Sequence, residues 1–181
     1  MKVSAEQKAL NRKAILETAG RLLRIKGPEG LGVAEVMDGA GLTHGGFYGY
    51  FPSKEQLAAE TVAQALAEAT SYAGSAVDDA GFEAFLCGYL STPHLDDVEA
   101  GCPIAATLSD IPRQPQAVRA AFAAGMENYL KATTKGHDRQ TALARLTAMI
   151  GALALARALQ GEDRPLAEEI LAAVREDDRP G

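Results

Sequence analysis

Apolar side chains recur at intervals of three and four residues along most of this 181-residue chain. In the first segment, Ile15, Ala19, Leu22 and Leu23 fall on one side of a helix, which is the spacing of an amphipathic helix. Alanine, leucine and other helix formers dominate, and no sustained two-residue alternation is present, so the sequence predicts an all-α fold. We predict about nine helices, at roughly residues 7–26, 33–39, 44–50, 54–72, 82–90, a segment beginning at Pro103, 116–133, 139–160 and 165–176.

The second and third of these helices are short and are separated by a tight bend. Gly41 suits the bend, because a residue without Cβ adopts a positive φ at no steric cost. Thr43 is predicted to accept a backbone N–H as the N-cap of the third helix, which Pro52 ends. Ser53 and Gln56 form a capping box that begins the fourth helix. A short helix held between a tight turn and a cap is typical of a helix-turn-helix motif, which presents a few side chains to a DNA groove.

Two stretches of the chain resemble a known family. The residues concerned are Val36-Met37, Ala40-Gly41-Leu42-Thr43, Gly45, Phe47, Tyr48, Phe51, Ser53-Lys54-Glu55 and Leu57, followed in the second half by Gly101-Cys102-Pro103-Ile104-Ala105-Ala106. They resemble the TetR/AcrR family of bacterial transcriptional regulators. The resemblance implies a three-helix DNA-binding head, residues 1–56, on a larger helical body, residues 57–181, that binds a ligand and forms a homodimer.

The resemblance also assigns residues to contacts with duplex operator DNA. It implies phosphate contacts from Thr43, Tyr48 and Lys54, and it places a second set at or near base edges: His44, Gly45, Gly46, Phe47 and Tyr50. Gly32 and Val33, where the second helix begins, complete the predicted DNA-binding set. By their chemistry alone, Thr43 and Lys54 suit phosphates, whereas His44 and Tyr50 are able to hydrogen-bond a base. Phe47 has the alternative of a core position in the head, and for Phe51 we expect the core.

The body offers two further sets of candidate residues. Aromatic and methionine side chains at helical spacing pack in a core or, as the resemblance implies, line a ligand cavity: Tyr72, Phe85, Tyr89, Phe122, Met126 and Tyr129. Cys102, as a predicted helix N-cap, is either a small buried side chain or a reactive thiolate that senses oxidants or electrophiles. The last two helices carry apolar stripes that pack within the chain or also against a second copy, with Leu146, Ile150, Leu153, Leu166, Ile170 and Val174 as the predicted dimer interface.

The charge is distributed unevenly between the two parts. The net charge of the chain is −6, yet residues 1–56 carry eight Lys/Arg against six Asp/Glu, while the remainder carries ten against eighteen. This distribution suits a head that meets phosphates and an acidic body, because phosphate contact requires local rather than total positive charge.

The remaining residues argue against several other classes of protein. The histidines, His44, His94 and His137, have no metal-ligand spacing, and no nucleophile or nucleotide-binding motif is present, so we expect neither an enzyme nor a cofactor. Cys87 and Cys102 indicate no disulfide framework. No run of about 18 apolar residues predicts a membrane span, and the first residues lack the apolar core of a secretion signal, so we expect a cytoplasmic protein.

The sequence therefore predicts a ligand-responsive, homodimeric DNA-binding regulator, most simply a repressor that a small-molecule inducer releases from a palindromic operator. The alternative is a helical protein that senses small molecules or electrophiles through Cys102 and has weak or lost operator recognition.

Overall fold

A computed structural model describes residues 4–75, 79–133 and 138–177. Within these residues the chain is all-α: nine α-helices and two 3₁₀-helices are present and no strand occurs, which confirms the predicted fold class. The α-helices are α1 (Ala5–Lys26), α2 (Val33–Gly39), α3 (Lys54–Gly74), α4 (Asp79–Tyr89), α5 (Thr92–Asp96), α6 (Pro103–Thr107), α7 (Gln116–Thr133), α8 (Arg139–Leu159) and α9 (Arg164–Asp177), and the 3₁₀-helices are His44–Gly49 and Ile111–Arg113.

The head is built around the buried face of α1. Ser4 caps this helix by accepting the backbone N–H of Gln7, and Gly27, with a φ of 69°, ends it. Helix α2 crosses α1 closely at Gly39, where a Cβ would lie 2.7 Å from the Cγ2 methyl of Thr18. A glycine inside this helix costs up to ~1 kcal/mol in helix propensity. The close approach of the two helices explains why glycine is used at this position.

Helix α3 runs without interruption from the head into the body. Ser53 accepts the backbone N–H of Gln56, as predicted, whereas the Gln56 side chain donates to Glu60 and does not close the capping box. The predicted boundary between residues 56 and 57 falls in the first turn of this continuous helix, and the division into two domains stays a prediction. Along its length α3 packs extensively against α7, most closely at Gly125, where a Cβ would lie 2.4 Å from Leu66 Cδ2.

Two segments differ from the predicted helices. Residues 44–49 form a 3₁₀-helix rather than an α-helix. The acidic segment after Pro93, which lies outside the predicted helices, begins with the helical turn α5, capped by Ser91 and anchored by the fully buried Leu95. This turn positions the side chain of His94 inside the body.

Helix α8 lies against α9, α6 and α7. Asp138 caps it by accepting the backbone N–H groups of Gln140 and Thr141. By length and composition this helix is apolar enough to cross a membrane, with a mean hydropathy of 1.5 and only 39% of its most apolar window buried. Helix α8 has apolar residues on several faces, and the rest of the chain covers one of them. The remaining apolar surface is available to another partner.

Candidate functional site

The predicted helix-turn-helix is present as α2, a turn at Gly41, and the 3₁₀-helix His44–Gly49. Gly41 has a φ of 70°, and the N–H of Leu42 donates to the carbonyl of Met37 across the turn at 2.8 Å. Phe47 and Phe51 stack with ring centroids 5.9 Å apart inside the core of the head, where the 3₁₀-helix packs against α2. One side of this short helix is therefore core and the other faces solvent.

Four predicted contact residues are exposed to solvent: Thr43, His44, Gly45 and Lys54. Tyr48 joins them, with 76% of its surface exposed and its ring edge-to-face on buried Phe47. Thr43 is the N-cap residue, but its side chain makes no capping hydrogen bond, so that part of the prediction is wrong. The backbone carbonyl of Thr43 accepts the N–H of Gly46 instead, which leaves the hydroxyl available to an outside partner.

Other predicted contact residues are engaged within the chain. Phe47 is 1% exposed, so its presentation at base edges is wrong and its alternative core position is correct. Phe51 is fully buried, as expected. Tyr50 is half-buried, and its hydroxyl accepts a hydrogen bond of 2.8 Å from the amide of Asn11. The ammonium of Lys54 donates to the carbonyl of Glu29 at 2.9 Å while remaining exposed.

The start of α2 lies beside this surface. Gly32 is the N-cap residue of α2 and supplies no side-chain cap, and both it and Val33 are half-buried. Val33 packs against the core of the head, which leaves it little surface for DNA.

The two glycines at the start of the 3₁₀-helix are not required by the chain's own packing. Neither Gly45 nor Gly46 has a positive φ. A Cβ built on Gly45 meets no atom within 4 Å, and one built on Gly46 makes only ordinary contacts at 3.8 Å and beyond. Glycine weakens a helical segment, so the packing of the chain itself does not explain why glycine occupies exposed Gly45 and half-buried Gly46.

A second candidate site is a cavity of about 410 Å³ in the body. It lies among α1, α3, α4, α7 and the segment from His94 to Pro103. Five of the seven predicted ligand-binding residues line it: Tyr72, Phe85, Tyr89, Cys102 and Tyr129. Phe122 and Met126 do not line it. They are half-buried and pack against the core, the alternative role considered for them.

The sequence prediction missed the polar wall of this cavity. Arg24 of α1, Glu68 of α3 and His94 of α5 line it together with the aromatic residues. Neither Arg24 nor His94 was predicted to have a role at this cavity. The approach of these side chains to the cavity depends on contacts between residues far apart in the chain, which helical periodicity does not predict.

His94 holds the Cys102 segment in place. Its Nδ1 donates to the carbonyl of Tyr89 at 2.6 Å, and its Nε2 accepts the backbone N–H of Cys102 at 3.1 Å. These two partners require a neutral ring with its proton on Nδ1. Cys102 is the N-cap residue of α6, as predicted, but its thiol makes no capping bond and is 7% exposed.

Burial shifts the pKa values of the groups around Cys102. Burial, followed by the neighbouring Cys102 thiol, raises the pKa of Tyr89 well above 10. Burial likewise raises the pKa of Tyr129, so both phenols stay protonated. Burial also lowers the pKa of His94, opposed by its hydrogen bond to the Tyr89 carbonyl, in keeping with a neutral ring.

One hydrogen bond ties the cavity to the head. Nε of Arg24 donates to the carbonyl of Gly101 at 2.7 Å, and Nη1 donates to the carbonyl of Gly20. On the other side of Gly101, Nη2 of Arg157 donates to the carbonyl of His94 at 3.1 Å. The segment before Cys102 is thus held by a helix of the head and by α8 of the body.

The predicted dimer residues divide into two groups. Leu153 is fully buried within the chain and Leu146 and Ile150 are each 7% exposed, so these three pack in the intrachain core and offer little surface to a second copy. Their place in a dimer interface stays a prediction. Ile170 and Val174 are half-buried and pack against the same core, whereas Leu166 is 40% exposed. The large apolar residues that α8 leaves exposed are Leu143 and Leu155, at 42% and 58%.

No group of three or more His, Cys, Asp or Glu side chains that could hold a metal ion occurs among the described residues. His137 lies outside them.

Comparison with known proteins agrees with the resemblance of the head. Residues 15–61 match the family model of bacterial regulatory proteins of the tetR family. This match covers the second half of α1, α2, the turn, the 3₁₀-helix and the start of α3, and it agrees with the predicted family for this part of the chain. No curated protein sequence matches the chain significantly.

Solved structures share the fold over nearly the whole chain. The reduced form of NemR from E. coli is 19% identical, with a TM-score of 0.76 over 92% of this chain and 95% of that one. A TetR-family transcriptional regulator from Agrobacterium tumefaciens is 21% identical, with a TM-score of 0.73 over 94% and 98%. Another from Cytophaga hutchinsonii is 19% identical, with a TM-score of 0.69 over 97% and 96%.

Proposed function

We propose, starting from the membership of its N-terminal domain in the tetR family of bacterial regulatory proteins, that this chain is a ligand-responsive transcriptional repressor. In this proposal two copies bind a palindromic operator, and a small molecule in the body cavity releases them. The observation that carries the proposal is the exposed 3₁₀-helix, where Gly45 leaves open space beside Thr43, His44 and Tyr48.

The chemistry of this surface suits duplex DNA. Thr43, Tyr48 and Lys54 offer hydroxyl and ammonium donors to phosphate oxygens, which position a protein without reading sequence. His44, exposed at the first position of the 3₁₀-helix, is able to hydrogen-bond a base edge in the major groove. The glycines allow the backbone of the 3₁₀-helix to approach the DNA closely. Two heads would enter successive major grooves, about 34–36 Å apart or a little more.

The contacts of Gly101 provide a physical route from the cavity to the head. The carbonyl of Gly101 accepts from Arg24 of α1, and the next residue, Cys102, lines the cavity. A ligand that displaces the 94–102 segment therefore acts on α1, against which α2 is packed, and α2 in turn contacts the 3₁₀-helix. The ligand releases operator only if it binds better to the displaced arrangement, because a population shift requires differential affinity.

The exposed face of α8, together with Leu166 of α9, is the proposed dimer contact. Leu143 and Leu155 flank a surface of small side chains that includes Ala148 and Gly151. Small side chains let two helices approach closely, and a two-fold axis would bring the same face of each copy together.

The test is DNA binding by the full chain. Fluorescence anisotropy with the DNA upstream of its own gene, against a scrambled duplex of equal length and composition, is expected to give a salt-dependent preference for the native sequence. Footprinting is expected to protect two half-sites related by a two-fold axis. Equal affinity for native and scrambled DNA at every salt concentration would contradict the proposal.

The alternative of electrophile sensing has one specific observation in its favour, which is that Cys102 lines the cavity. Reaction of its thiol would alter the segment that Arg24 and His94 hold. Cys87 is exposed and provides an internal reference thiol. If N-ethylmaleimide labels Cys102 faster than Cys87, and Cys102→Ser removes the effect of labelling on DNA affinity, the sensing role is supported. Exclusive labelling of Cys87 would assign Cys102 to structure.

A further inference from the structure

The inner wall of the body cavity is aromatic on one side. The rings of Tyr72 and Phe85 have centroids 5.8 Å apart, and those of Phe85 and Tyr89 are 5.9 Å apart. Tyr129, 2% exposed, closes the cavity from α7. A row of rings in loose contact presents flat apolar faces, which favour a flat aromatic guest over a branched aliphatic one.

At the buried end of this row, the hydroxyl of Tyr89 has no strong hydrogen-bond partner within the described part of the chain, only the thiol of Cys102 beside it. Tyr89 is 7% exposed and lines the cavity, whereas its hydroxyl is fully buried and becomes reachable when a ligand displaces the Cys102 segment. A buried polar group without a partner costs free energy that a ligand can recover by bonding to it. Because Tyr89 stays a protonated phenol, it has an O–H to donate.

The surroundings of this hydroxyl supply donors rather than acceptors. The Cys102 thiol beside it is only a weak acceptor, and the ring Nε2 of His94 is occupied by the Cys102 N–H. Arg157 is close enough to influence Tyr89, and its Nε and Nη1 are buried without a partner. Glu68, which lines the cavity, and Asp97 have exposed side chains. The positive charge of Arg157, which does not itself line the cavity, therefore acts on the buried end, and the complement of that end is an acceptor.

We propose that the cavity binds an aromatic small molecule that carries an acceptor oxygen without a hydrogen, a carbonyl or a carboxylate, and that the Tyr89 hydroxyl donates to this oxygen. The inference rests on the proposed function only in taking this cavity as the inducer site. It names the chemical class of the inducer.

Four probes of similar shape test the class on the full chain in the absence of DNA, by isothermal titration calorimetry. They are 2-acetonaphthone, 2-naphthoate, 2-ethylnaphthalene and 2-naphthylmethylammonium. The ketone and the carboxylate are expected to bind about tenfold more tightly than the hydrocarbon, and the ammonium more weakly still, because it adds donors and positive charge to an end that already has both. The ratio between ketone and carboxylate tells which oxygen is preferred.

A matched pair of variants assigns the preference to one hydroxyl. Tyr89→Phe keeps the ring and is expected to bring the ketone and the hydrocarbon to within about twofold of each other. Tyr72→Phe is the control, because Tyr72 lies at the exposed mouth and loses a hydroxyl there, so the preference is expected to persist. Hydrocarbon binding as tight as that of the ketone in the unaltered chain, or an unchanged preference in Tyr89→Phe, overturns the proposal. DNA binding is measured separately, so the absence of operator recognition leaves this result intact.

Discussion

Replacing Gly45 by alanine separates the requirements of folding from those of DNA binding. The new methyl group would meet no atom of the chain within 4 Å, and the backbone at Gly45 has no positive φ. Because glycine in a helical segment is less stable than alanine by roughly 0.5–1 kcal/mol, the variant is expected to be slightly more stable. For a chain of 150–250 residues this amounts to a rise in Tm of about 1–4 °C.

The same substitution is expected to weaken DNA binding. If the backbone at Gly45 lies against the operator, an added methyl overfills a close-packed contact at a cost of ~1–3 kcal/mol. Two heads bind each operator, so the affinity should fall by roughly 30-fold or more. No charge is removed, and the slope of log affinity against log salt is therefore expected to stay unchanged.

Differential scanning calorimetry and fluorescence anisotropy on the same preparations measure both effects. Gly161→Ala is the control, because Gly161 is also exposed and open but lies in the turn after α8, far from the head in sequence. It is expected to leave operator affinity unchanged. A Gly45→Ala protein that binds operator like the unaltered chain would refute the close approach of DNA to the backbone at Gly45. A destabilised Gly45→Ala protein would refute the open space around this residue.

Three further predictions concern phosphate contact, the dimer and pH. Lys54→Ala is expected to weaken binding to operator and random DNA alike and to reduce the salt slope by about one unit; unchanged binding would remove Lys54 from the phosphate contacts. Leu155→Ala is expected to weaken the dimer by roughly 10- to 1,000-fold in sedimentation, because 58% of its surface is available and a two-fold interface uses it twice. Leu153→Ala is instead expected to lower the free energy of unfolding by ~2–5 kcal/mol in urea, and the reverse pattern would place the interface elsewhere. Because burial lowers the pKa of His94 below 6.5, its unfolded form binds a proton first as the pH falls. The stability that neutral His94 contributes is therefore complete above pH 6.5 and is lost toward its lowered pKa, and urea titrations of His94→Gln should lack this loss.

Much of the head followed from local chemistry. Gly41 permits the positive φ of the turn, Pro52 ends the preceding helix and Ser53 caps the next one, whatever surrounds them, so the turn and the start of α3 were placed correctly. The 3₁₀ form of residues 44–49 was not predicted. Three glycines weaken helix propensity there, and the anchoring of Phe47 in the core selects the tighter geometry.

The body was less accessible to prediction, because an apolar stripe does not identify what covers it. Leu146, Ile150 and Leu153 have the spacing of a packing seam, yet the seam closes within the chain. The same periodicity would arise if a second copy closed it. Likewise the aromatic residues pointed to the cavity, but nothing local indicated that Arg24 would reach it from the head.

The crowding at Gly101 has a consequence for the evolution of this chain and its relatives. A Cβ at this position would lie 2.1 Å from Nη2 of Arg157 and 2.7 Å from the carbonyl oxygen of Asp97, although the φ of Gly101 is not positive. The clash with Arg157 is with a side chain, whereas the clash with Asp97 is with the backbone. A relative that replaces Arg157 by a shorter residue would thus relieve only one of the two clashes. The 97–101 turn would also have to move before a residue other than glycine could occupy position 101. Gly101 is therefore expected to vary only in company with both position 157 and the length of that turn, a pattern of joint substitution that an alignment of relatives would reveal.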